Sequence, residues 1–125
     1  MRVKLAIGLS VIAGLVPTLT FAHHGTAQYN AGDPVTLKGT VVEFEWRGPH
    51  TQIHVDVRDD KGGVVRWNFE AQPPNVLTRA GWTKNTLRPG DQVTIVGRLA
   101  KSGAPVGIIQ RVMLASGQEL ATSAR

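Results

Sequence analysis

Four histidines, His23, His24, His50 and His54, are the residues of this 125-residue chain best suited to chemistry, and no cysteine accompanies them. A metal site built here would rest on imidazole rather than thiolate nitrogen-and-sulfur sets, and disulfides and thiol catalysis are excluded. Cleavage after Ala22 makes His23 the first residue of the processed chain. An amino-terminal histidine offers its α-amine and its imidazole to one ion, and the amine, with a pKa of about 7.7–8.0, loses its proton readily to a metal near neutrality. One or two further imidazoles complete an all-nitrogen set. Such a set suits Cu(II), which heads the divalent affinity order and accepts tetragonal nitrogen geometry.

Geometry limits which histidines can join. His50 and His54 lie four residues apart, roughly 13 Å on a straight strand at ~3.3 Å per residue, too far to share one ion unless His50 still belongs to the turn before it. A mobile arm carrying His23 and His24 can reach either. The expected site is His23 with His50, with His24 and His54 as additional ligands. The plainer alternative has His54 pairing with Asn68 across a hairpin, His50 capping a loop and His23-His24 left over from processing. Glu43, Glu45 and Glu70 fall on outward faces and could neighbour His54, with solvated carboxylates as the default.

Signatures of catalysis are missing: the sequence has no G-x-S-x-G, no H-E-x-x-H and no phosphate-cradling glycine loop. The expectation is a protein that is not an enzyme. Nucleic-acid binding is not expected either. The positive residues are scattered with no block of like charge, and Trp46 and Trp67 share the phase of apolar neighbours and read as core rather than as stacking platforms.

The elements that position these residues begin after an export signal. Arg2 and Lys4 precede an uncharged run, Leu5–Val16, broken by Pro17 and followed by Thr20-Phe21-Ala22, the order of a secretory signal peptide over residues 1–22. The run falls well short of the about 20 apolar residues that span a bilayer. A periplasmic or secreted protein with no stable membrane insertion after cleavage is expected. Loss of Arg2 and Lys4 lowers the formal net charge of +5 by two.

Residues 23–34 read as an extended polar arm. Val35–Trp46 reads as a long strand whose phase slips near Gly39–Val41, as a β-bulge or a sharp barrel bend would cause. After the Arg47-Gly48-Pro49 turn, Ile53, Val55 and Val57 alternate with Gln52, His54 and Asp56. A hairpin at Asp59–Gly63 leads to a third strand with Val65, Trp67 and Phe69 inward. Pro73-Pro74-Asn75 opens a short helix that Gly81 stops, with Trp82 closing the barrel end. Two more strands, Gln92–Ala100 and Val106–Leu114, follow. A bulged first strand, and a helix between strands 3 and 4, is the order of a five-stranded OB-like barrel, mainly β, over residues 35–115, with a polar tail at 116–125. The expected core is Val42, Phe44, Ile53, Val55, Val57, Val65, Trp67, Phe69, Leu77, Val93, Ile95, Ile108 and Val112.

Ala22-His23-His24 directly after a signal, Trp46-Arg47-Gly48-Pro49-His50, Trp67-Asn68-Phe69-Glu70, Asn75 to Leu77 with Arg79 and Gly81-Trp82, and the Pro89–Val93 turn occur together. This combination resembles a family of short exported bacterial proteins of unknown function. The resemblance implies an OB-like barrel and makes His23, His24 and His50 motif positions; it implies no activity. Two functional expectations follow: a periplasmic binding module for a metal ion, with copper as the candidate cofactor, or an interaction module whose Arg47–His50 loop and outward strand face dock an envelope protein.

Overall fold

The computed structural model describes residues 26–123. The expected signal peptide, His23 and His24 lie outside the described residues. A single turn of 3-10 helix, Thr26–Gln28, precedes the strands β1 (Val35–Glu45), β2 (Gln52–Arg58) and β3 (Val64–Glu70), the helix α1 (Pro74–Arg79), and the strands β4 (Gln92–Leu99), β5 (Val106–Leu114) and β6 (Glu119–Leu120). The sheet runs β3-β2-β1-β4-β5-β6, and a parallel pairing of β3 with β5 closes the first five strands into a barrel. The fold is the expected OB-like barrel with one short helix between the third and fourth strands.

Closure depends on two places where side chains are missing. Phe69, paired with Gly107 across the parallel seam, is buried beneath β4 and β5. A Cβ on Gly107 would stand 2.8 Å from the Phe69 ring, and one on Gly97 would stand 2.5 Å from the Ile108 carbonyl oxygen. Both strands can therefore approach only as glycine backbone.

Two β-bulges set which residues face inward. In β1, Val41 pairs with Val55 but Glu43 pairs with His54, so Val42 is passed over. The phase slip comes slightly later than the sequence suggested. As a result Val41 is buried in the core and Val42, expected there, is only half-buried. In β5, Arg111 pairs with Val96 and Ile109 with Gly97, which leaves Gln110 unmatched. That second bulge puts Ile109 and Val112 both inside, three residues apart, and moves the expected Ile108 to a half-buried position. Alternation alone cannot show a bulge when both candidate positions are isoleucine.

The rest of the core follows expectation more closely. Ile53, Val55, Val57, Phe69, Leu77, Val93, Ile95 and Val112 are buried together, while Phe44, Trp46, Trp67 and Val65 are half-buried. One end of the barrel is plugged by the helix. Pro74 starts α1, where its missing N–H is no loss; Leu77 is fully buried, and Gly81, at φ +93°, turns the chain so that Trp82 packs behind it. The Trp82 indole donates to the Ala121 carbonyl oxygen at 2.7 Å. That acceptor lies in the segment read from sequence as a polar tail. The tail carries β6, which pairs with Val112 and Met113 and rests Leu120 against the core.

Candidate functional site

The bulge at Val42 also shapes the outer face. Without it Glu43 and Glu45 would continue the inward phase of Val41; with it both stand on the solvent side, level with His54 and Gln52. Glu45, Gln52 and Glu70 then form one row across β1, β2 and β3. With strands about 4.8 Å apart, the two carboxylates flank Gln52 from backbones about 10 Å apart.

Each described histidine belongs to one end of this row. His54 places Nε2 2.6 Å from Glu45 Oε1, on the β1 side. Its expected cross-strand partner, Asn68, does lie directly opposite on β3, but the Asn68 amide donates to Gln52 Oε1 at 2.7 Å instead. His50 precedes β2 and pairs through Nδ1 with Glu70 Oε1, on the β3 side. The Thr51 carbonyl oxygen accepts from the Ala71 N–H at 2.8 Å, which extends the β2–β3 ladder past Glu70 and fixes the chain on which His50 stands. The structure thus assigns His50 and His54 to different carboxylates and brings them to no common centre.

A carboxylate only accepts hydrogen bonds, so a neutral imidazole beside one turns its N–H toward it. In His50 the nitrogen beside Glu70 is Nδ1. The arrangement is that of a metal-ligating histidine oriented from behind by a carboxylate. The His50 side chain is 45% exposed.

Sequence reasoning missed Tyr29. The tyrosine lies in the arm, yet it is buried, forms a β-bridge with Ala100, and donates from its hydroxyl to Glu70 Oε2 at 3.2 Å. The neighbouring backbone is held as well: the Lys101 N–H donates to the Gln28 carbonyl oxygen, and the Asn30 N–H to that of Leu99. A lone tyrosine in a polar segment was the available sign. Burial, and then the Glu70 charge, raise the Tyr29 phenol above its ordinary value. Glu70 therefore receives the loop histidine on one oxygen and the arm tyrosine on the other, beside a cleft of about 340 Å³ that Thr122 and Ser123 complete.

On the β1 side the Glu45 carboxyl is held below the ordinary carboxylate range, first by the His54 hydrogen bond and then by the Arg47 charge. Arg47 pairs with Glu45 Oε2. Glu43, Glu45 and His54 bring one ligand-type atom each to within 4.8 Å of one another. The sequence placed all three outward and allowed the two carboxylates to neighbour His54, with solvated carboxylates as the default.

Residues 11–110 match the family described as a family of unknown function (DUF6152). The chain belongs to this family. The matched stretch covers the barrel through the seam of β3 and β5 and includes His23, His24, His50 and His54. No curated protein matches the chain.

Proposed function

We propose that this family member is an exported, periplasmic, non-enzymatic binding module that takes Cu(II) through His23 and His50. In this reading the signal peptide ends at Ala22, the α-amine and imidazole of His23 supply two nitrogens, and His50 Nε2 supplies a third. His24 is the nearest additional ligand. His54, turned toward Glu45, is not needed.

One observation supports it above the others: Tyr29 and His50 meet on the same carboxylate, Glu70. Tyr29 is six residues after His23, a reach of at most about 20 Å in extended chain. The arm is therefore tethered beside His50, whose Nδ1 lies against the same carboxylate that receives Tyr29. Glu70 would sharpen the site without binding the ion, by fixing the imidazole and raising its basicity.

Cu(II) titration of the processed chain, followed by tryptophan fluorescence or visible absorbance, tests this. Stoichiometric binding that is lost in both His23→Ala and His50→Ala is expected, and Glu70→Gln should weaken it by about 10–100-fold. A chain with an extra residue ahead of His23 should lose the amine contribution. Binding indifferent to all of these changes sinks the reading and favours the interaction module, in which the exposed Arg47–His50 loop docks an envelope protein.

A further inference from the structure

We propose that Glu43, Glu45 and His54 form a second cation site, separate from the His50 corner, that takes a divalent ion of the zinc class and is held closed by Arg47. The two strands present the donors on one face: the Val42 bulge turns Glu43 outward opposite His54, and Glu45 follows two residues on. Their ligand atoms already lie within 4.8 Å of one another. The ion would replace the proton shared between His54 Nε2 and Glu45 Oε1, now 2.6 Å apart, and the exposed Glu43 would close over it. Zinc bonds of about 2.0–2.2 Å to nitrogen and oxygen need small side-chain rotations from this starting point.

The imidazole distinguishes the cluster from an ordinary acidic patch. A set of two carboxylates and one imidazole, brought together from two neighbouring strands, suits a borderline divalent ion, whereas the all-nitrogen set at the amino end suits copper.

Arg47 is the counterweight. Its guanidinium holds Glu45 Oε2 from a side chain that is 73% exposed. An arginine so placed stands where the ion's charge would act, and it is easily displaced. Arg66, on the same face, makes two hydrogen bonds to Asp56, at 2.8 and 3.0 Å, and its charge reaches Glu43 from there.

The test uses the processed chain with His23→Ala, His24→Ala and His50→Ala, so that His54 is its one remaining imidazole and the copper reading is taken out of play. Titration with Zn²⁺ alone by calorimetry should show one saturable site. Adding His54→Ala or Glu45→Gln should weaken it by about tenfold or more, and Arg47→Gln should tighten it by a few-fold. Circular dichroism of each variant checks the fold; if the histidine variant fails to fold, Glu45→Gln carries the test. No saturable binding, binding unmoved by both ligand substitutions, or an Arg47→Gln chain that binds no tighter overturns the proposal.

Discussion

Tyr29 gives the most direct reading of how the arm is held. It is the chain's single tyrosine, so absorbance at 295 nm reports its ionisation without interference from another phenol. The folded phenol is raised above the ordinary value of about 10, because burial and the Glu70 charge both disfavour the anion. A raised folded value means that the neutral phenol stabilises the docked arm fully below about pH 10 and that this contribution is lost as pH rises through the folded value. We expect a 295 nm midpoint above 10, moving part of the way back in Glu70→Gln, since burial is the larger cause and remains. A midpoint at the unfolded value would mean the arm is undocked in solution. Tyr29→Phe should keep the packing and lose only the hydroxyl's hydrogen bond to a charged carboxylate, about 1.5–3 kcal/mol.

Among the elements, β1 and the β3–β5 seam carry the most consequence. Deleting Val42 takes out the residue that the ladder passes over, so Val41, Glu43, Phe44 and Glu45 alternate in and out against the same partners on β2. The deletion removes the local kink and added twist of β1 but changes no residue's face. The variant should keep a cooperative thermal transition; loss of that transition would show that closure of the barrel depends on the twist the bulge supplies. At the seam, Gly107→Ala places a methyl group against the Phe69 ring. Overpacking of this kind typically costs about 1–3 kcal/mol. Denaturant unfolding should give that loss with an unchanged slope, whereas the same change at exposed Gly48, where a Cβ meets nothing within 4 Å, should have little effect.

For the whole molecule, the carboxyl-terminal segment belongs to the fold. Ending the chain at Gln118 removes β6, the Leu120 packing and the Ala121 carbonyl oxygen that accepts from Trp82. A buried indole left without its acceptor costs about 1–3 kcal/mol, before the lost apolar contact is added. For a domain of this size each kcal/mol lowers the midpoint by about 4–8 °C. The truncated protein should therefore melt several degrees lower, with tryptophan emission shifted to the red as Trp82 meets water. An unchanged melt and spectrum would show that the tail is dispensable.

Much of this architecture was legible in the order of residues. Alternation in β2 and β3, proline at the first turn of α1, glycine at its stop and a phase slip in β1 are local signals, each written within a few neighbouring residues. They were enough to give the barrel, its single helix and most of its core. The Gln110 bulge was not legible, because Ile108 and Ile109 satisfy either phase equally well. Nor were the partners of the histidines. That Glu45 takes His54, and that Glu70 takes both His50 and Tyr29, depends on cross-strand register and on where the arm lies down. The bulge in β1 and the β2–β3 register decide the first two, and docking of the arm across the barrel decides the third. None of these is written in a short window of sequence.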